Sequence, residues 1–177
     1  MIEAVTIGNF KSLELVTLRL GQFNCLVGMN GAGKSTILQA LDLLAQLMHG
    51  NVDLWLAARG WVSKDLYCRT RHPPRGATLA VSLRLEDGRL LYWLVILNRT
   101  TMRVITEGAF VQGEQIFTAS SSRFTLLGQR HEITHDYTGS LLASLKDSLL
   151  SPELKTLRDA VRNIRSLELL SPHLLRK

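Results

Sequence analysis

The sequence is poor in the features that mark secreted, fibrous or membrane-inserted chains. It has two cysteines in 177 residues, Cys25 and Cys68, set far apart. Two thiols build no disulfide framework, and the expectation is a pair of reduced cysteines in a cytoplasmic protein. There are four prolines, no low-complexity tract and no internal repeat, which excludes proline-rich and repeat architectures. No apolar run approaches the roughly 20 residues that span a bilayer, so no membrane partner is expected. The first ten residues carry a glutamate and alternate apolar with polar, without the basic region and apolar stretch of a signal peptide. What is present is the composition of an ordinary globular domain, 46% hydrophobic and 20% charged. The net charge of +6 permits a polyanionic partner without requiring one.

Residues 1–7 alternate and are rich in β-branched side chains, which predicts a strand broken by Gly8-Asn9. Residues 13–20 alternate again. Residues 23–27 form a short apolar run consistent with a buried strand. A glycine-rich loop follows, and then Ile37, Leu38, Leu41, Leu44, Ala45 and Met48 fall at helical spacing, with Gly50-Asn51 as the stop. The order is strand, glycine-rich loop, helix. A short helix is expected over residues 53–58 and an exposed basic loop over 68–76. Residues 78–85 and 90–97 alternate around an Asp87-Gly88 hairpin signal. Short strands at 102–106, 110–111 and 115–118 continue an antiparallel meander. Helical periodicity returns at 140–150 and 153–170, with Ser151 as N-cap, Pro152 at the first helical position and Ser171-Pro172 as the end.

The loop Gly28, Met29, Asn30, Gly31, Ala32, Gly33, Lys34, Ser35, Thr36 meets the pattern G-x-x-x-x-G-K-[ST] of a nucleotide phosphate-binding loop. Gly28, Gly31 and Gly33 are expected to give the backbone conformations that a Cβ forbids, turning successive N–H groups around the phosphates. The helix that opens behind the loop adds unpaired N–H groups and its dipole. Lys34 is expected to reach the β- and γ-phosphates, and the Ser35 hydroxyl to ligate Mg²⁺. Lys34 and Ser35 are thus the candidate catalytic residues, and ATP with Mg²⁺ the expected ligands. A small GTPase would also need a base-reading Asn-Lys-x-Asp, and the sequence has none.

The run Ile2-Glu3-Ala4-Val5-Thr6-Ile7-Gly8-Asn9-Phe10-Lys11-Ser12-Leu13, together with the loop in its Asn24-Cys25-Leu26-Val27 context, resembles the start of RecF-like and SMC-like ATPases. These are ABC-type heads found in DNA repair, chromosome maintenance, OLD-family nucleases and phage defence. The resemblance implies an α/β P-loop NTPase lobe of the ABC-head type, with an antiparallel β-meander and C-terminal helices. It implies one partial ATPase domain over 1–177, divided into a strand-loop-helix core (1–60), an antiparallel sheet (77–128) and a helical part (140–172). Asn30 would lie beside the γ-phosphate, and Lys11 matches a position where such heads place a basic residue near the nucleotide. Heads of this kind dimerise around ATP. Their hydrolysis needs a Walker B strand ending in two acidic residues, and neither 90–97, which runs into Asn98, nor Leu83-Arg84-Leu85-Glu86-Asp87 supplies one. The expectation is a lobe completed by a C-terminal ATPase lobe or a second subunit, from truncation or from a split enzyme. A module that binds nucleotide without hydrolysing it is the alternative.

Two further patterns compete for a role. His131-Glu132-Ile133-Thr134-His135 matches H-E-x-x-H, which on a helix would hold Zn²⁺ while the glutamate activates water, with Glu153 a downstream ligand candidate. It lies between Gly128 and Gly139 and lacks a long apolar helix, so a polar connector is favoured over a zinc hydrolase. Arg69, Arg71, His72 and Arg75 form a compact positive loop, and Arg158, Arg162 and Arg165 recur at helical spacing. They suit either a solvated surface or contacts to a DNA backbone. Trp55, Trp61, Tyr67 and Trp93 are expected in the core or the sheet.

Overall fold

A computed structural model describes residues 1–68 and 76–165. Eight strands form one sheet in the order β2-β1-β3-β4-β5-β6-β7-β8, and every pairing is antiparallel. They are β1 (Ile2–Phe10), β2 (Leu13–Arg19), β3 (Gly76–Arg84), β4 (Leu90–Asn98), β5 (Val104–Val111), β6 (Glu114–Ser120), β7 (Arg123–Leu126) and β8 (Gln129–Glu132). The helices are α1 (Lys34–His49), α2 (Val52–Ala58), α3 (Leu141–Ser144) and α4 (Pro152–Arg162). Among the described residues no helix is long and apolar enough to cross a membrane.

The two-residue period of the strands directs one set of side chains to one face. Register aligns Val5, Val81, Trp93, Ala109, Phe117 and Leu126 as one buried row across β1, β3, β4, β5, β6 and β7. The helices pack over this face: α1 meets β1, α4 meets β4, and α2, α3 and α4 all contact α1. A single hydrophobic cluster runs through both layers. The first two strands share the sheet of the meander through β1–β3 pairing, and the hydrophobic cluster runs through both.

The structure departs from the expected elements at several places. Residues 23–27 form no strand among the described residues, because no neighbouring chain pairs with them. Gly8-Asn9 does not end β1, since Asn9 takes a positive φ of 56° within the strand. The expected break between 106 and 110 is absent: β5 runs continuously through Gly108 with β4 and β6 on either side. The segment between Ser122 and Ile133 forms a hairpin, β7–β8, where the sequence predicts no strand. Helical periodicity over 140–150 resolves into the one-turn α3 and a 3₁₀ turn at Asp147–Leu149. Helix α4 begins as expected, with the Ser151 hydroxyl accepting from the Leu154 N–H and Pro152 in its first turn. It ends at Arg162 with Asn163 as its C-cap, short of the expected helix to 170, and the Ser171-Pro172 end lies outside the described residues.

Candidate nucleotide-binding site

Helix α1 starts at Lys34 with Gly33 as N-cap at φ 87°, and no side chain caps it. The first helical bond runs from the Ile37 N–H to the Gly33 carbonyl at 3.0 Å. The N–H groups of Lys34, Ser35 and Thr36 are therefore the open donors of the helix end, with no protein acceptor among the described residues. Gly31 (φ 84°) and Gly33 adopt the left-handed backbone that glycine accommodates without strain. Gly28 does not: its φ is not positive, and its constraint is space, because a Cβ there would stand 3.3 Å from the Ala32 Cβ. The loop closes on itself through the Ala32 N–H, which donates to the Met29 carbonyl at 3.2 Å.

Lys34 straps this loop. Its ammonium donates to the Gly28 carbonyl at 2.7 Å and the Met29 carbonyl at 2.8 Å, tying the loop's entrance to the helix that ends it. The loop is exposed to solvent along most of its length, with the open N–H groups of Lys34, Ser35 and Thr36 at the helix end and the Lys34 ammonium beside its entrance. Open N–H groups at a helix N-terminus together with a cation suit an anion. The Ser35 hydroxyl is exposed on the first turn of α1, and Asn30 lies at the tip of the loop.

The turn between β1 and β2 packs against the same helix. Lys11 (φ 50°) donates from its backbone N–H to the Leu66 carbonyl at 2.9 Å and from its ammonium to Gln39 Oε1 of α1 at 2.8 Å. The ammonium also lies over the Trp61 ring. The structure thus brings Lys11 to the flank of α1, where Gln39 and Trp61 engage it. The neighbouring Ser12 and Leu13, not singled out as candidates in the sequence, stand next to Gly33. No pattern in the loop points to them, because the contact crosses from one end of the chain's first hairpin to the helix.

Phe23, Leu26, Val27 and Met29 are exposed, with Val27 at 90% and Phe23 at 86%. Phe23, Leu26 and Val27 directly before the glycine loop, with Met29 at its start, form an uncovered apolar surface. Leu38, on α1 behind the loop, is also exposed.

The other candidates fare differently. His131 and Glu132 lie at the end of β8, a strand, and His135 in the segment after it, so the motif is not presented on a helix. His131 stacks on Phe124 at 4.8 Å between ring centroids, and no group of three metal-ligating side chains exists among the described residues. The zinc-hydrolase arrangement is not formed, because the motif runs out of a strand into an irregular segment and its two histidines do not share one helical turn. Glu153 is bound by Arg89 at 2.9 Å. Arg158 and Arg162 do not form a solvated or DNA-facing stripe. Arg158 is 4% exposed and pairs with Asp147, while Arg162 donates to the carbonyls of Met48 at 2.8 Å and Ala143 at 3.2 Å. Arg69, Arg71, His72 and Arg75 lie outside the described residues. Trp93, Trp55 and Tyr67 are buried and Trp61 partly so, as expected of core and sheet residues.

The family model for the AAA ATPase domain matches residues 1–107, more than half of the chain. The sequence is 39% identical over 61 residues to an OLD nuclease of Thermus scotoductus, a match covering 34% of this chain and 10% of that protein. It is 28% identical over 155 residues to the uncharacterised protein MJECL10 of Methanocaldococcus jannaschii, covering 81% of this chain and 66% of that protein. The chain thus spans about a tenth of the one relative and 66% of the other. An uncapped helix behind a lysine-strapped glycine loop, inside the span of that family model, has the nucleotide-binding character of an ATPase, and the chain belongs to the AAA ATPase domain family.

Proposed function

We propose that this chain is the ATP-binding lobe of a RecF/SMC-like ATPase of the ABC-head type, coupled to a DNA-directed process such as repair, chromosome maintenance or phage defence. The observation that carries the reading is the loop Gly28 to Thr36, with open N–H groups at Lys34, Ser35 and Thr36 and the Lys34 ammonium held at the loop's entrance. The residues fit a nucleotide: the open helix-end donors would take a phosphate, the ammonium would balance its charge, and Ser35 would offer an oxygen to Mg²⁺. Bound Mg²⁺ would supply charge neutralisation on the phosphates. Lys34 and the loop bind and orient; Asn30 lines the γ-phosphate end.

The exposed residues Phe23, Leu26, Val27 and Met29 support a second part of the proposal. They form the face on which a C-terminal lobe or second subunit adds a strand and brings the acidic pair that activates water. Dimerisation around ATP and a DNA contact through Arg69, Arg71 and Arg75 belong to the same reading. Similarity to part of an OLD nuclease supports a nucleic-acid-directed effector. A module that uses ATP only to organise an interface is the second reading, favoured by the absence of an acidic pair beside the loop among the described residues.

Calorimetric titration of ATP·Mg²⁺ into the chain and its Lys34→Ala variant tests the first part. Binding that falls at least tenfold in the variant is expected; equal binding overturns it. ATP turnover in the chain joined to its C-terminal lobe decides between hydrolysis and pure binding.

A further inference from the structure

We propose that Ser12 is a positioning residue of the phosphate-binding loop, holding the hydroxyl of Thr36 toward the bound phosphate; this rests on the nucleotide-binding reading above. Ser12 lies outside the loop pattern and reaches it only through the fold. Asn9 (φ 56°) near the end of β1 and Lys11 (φ 50°) in the β1–β2 turn are both left-handed non-glycine residues, and the chain leaving them sets Ser12 against the first turn of α1. Ser12 Oγ lies 3.3 Å from Thr36 Oγ1. A Cβ on Gly33 would stand 3.5 Å from Ser12 Oγ and 3.2 Å from Leu13 Cδ2, so these two side chains wall the loop where it turns into the helix.

The turn is held independently of Ser12. Lys11 fixes it to Leu66 through its backbone and to Gln39 through its ammonium. Ser12 itself is exposed. Its hydroxyl is thus presented on a rigid support without being needed to build it.

Thr36 is the third residue of α1, and its N–H is one of the open donors. A helical threonine divides between two χ1 rotamers, because its hydroxyl can turn back to a carbonyl three or four residues earlier. The Ser12 hydroxyl engages Thr36 Oγ1 and so competes with that turn back to the helix carbonyls. Held in this way on the first turn of α1, the hydroxyl is available to a phosphate oxygen already oriented. Pre-setting a polar group in this way lowers the ordering cost of binding.

A double-mutant cycle on the full chain tests this, with Kd for ATP·Mg²⁺ measured for wild type, Ser12→Ala, Thr36→Ala and the double variant, and melting temperatures in parallel. Ser12→Ala is expected to weaken binding roughly three- to tenfold, the size of one net hydrogen bond, at an unchanged melting temperature. The double variant is expected to bind no more weakly than Thr36→Ala, because Ser12 acts through Thr36. Ser12→Thr keeps the hydroxyl and is expected to restore affinity. Wild-type affinity in Ser12→Ala, or losses that multiply in the double variant, would overturn the assignment. Failure of the wild type to bind ATP in a Lys34-dependent way overturns the nucleotide reading and Ser12 with it, whereas normal wild-type binding with an unaffected Ser12→Ala overturns Ser12 alone.

Discussion

The Lys11 ammonium stands 3.3 Å from the centroid of the Trp61 ring while donating to Gln39 Oε1 at 2.8 Å. Trp61 meets Trp55 edge-on at 5.4 Å, and the Arg59 guanidinium lies over Trp55 at 4.7 Å. Arg59 and the Trp55 indole N–H both reach Asp42 of α1, at 2.7 Å and 2.6 Å. Alternating cations and rings thus bind the β1–β2 turn and α2 to the helix behind the phosphate loop. Lys11→Met removes one cation–π contact and one charge-assisted hydrogen bond. It is expected to lower unfolding free energy by about 1–2 kcal/mol, read as a shift of the urea midpoint at constant slope. An unmoved midpoint would show that the contact carries no net stability.

Glu107 is fully buried in a cross-strand row with Leu79, Val95, Ala119 and Phe124. One carboxyl oxygen accepts from the Ser140 hydroxyl at 3.1 Å and the Leu142 N–H at 3.4 Å, and the other has no partner. Burial raises its pKa from 4.5 to about 7, against the lowering effect of those hydrogen bonds. The folded chain therefore holds this proton more tightly than the unfolded chain. Its contribution is fully present below about pH 4.5 and is lost as pH rises toward 7. The loss is on the order of 3 kcal/mol. Glu107→Gln, which cannot ionise, is expected to flatten this part of the stability–pH curve. A slope unchanged by the substitution would contradict the assignment.

Arg158 is expected to matter for folding and not for any polyanion. Its side chain is 5% exposed and its Nη2 lies 2.6 Å from Asp147 Oδ1, joining α4 to the 3₁₀ turn after α3. Arg158→Ala removes a buried, packed and paired side chain, and a loss of roughly 2–4 kcal/mol is expected in thermal or urea unfolding. The salt dependence of DNA binding, measured with the conservative Arg158→Met, should stay as in wild type.

Val27 gives the opposite pattern. At 90% exposure it touches little in this chain, so Val27→Asp should shift unfolding by no more than about 0.5 kcal/mol. The same substitution should abolish association with the proposed C-terminal lobe or second subunit in a pull-down or sedimentation assay, since it puts a charge on the face proposed for that partner. Retained association would place the partner elsewhere.

Local chemistry made much of this architecture legible from residues alone. Helix α1 was bounded by its apolar spacing and by Gly50, which takes φ 69° at its C-cap. The Asp87-Gly88 hairpin and the Ser151-Pro152 helix start were equally local. Residues 23–27 misled because an apolar run indicates a surface to be covered, not that the covering strand is at hand. The β7–β8 hairpin was hidden because Gln129-Arg130-His131-Glu132 is wholly polar and exposed, with no buried face to impose alternation. Arg158 and Arg162 share a helix face by spacing, but their burial depends on what packs there, which spacing does not carry.

The glycine loop was determined by the sequence itself, since Gly28 to Thr36 needs only its own backbone freedom, the following helix and Lys34 to leave open donors at the helix end. What stands beside that loop was decided by the tertiary structure alone. Ser12 reaches Thr36, and Lys11 reaches Gln39 and Trp61, because β1 pairs with both β2 and β3 and presses their turn onto α1. Contacts between residues far apart in the chain leave no periodic signal in it; they follow from the register of strands and the packing of a helix across them.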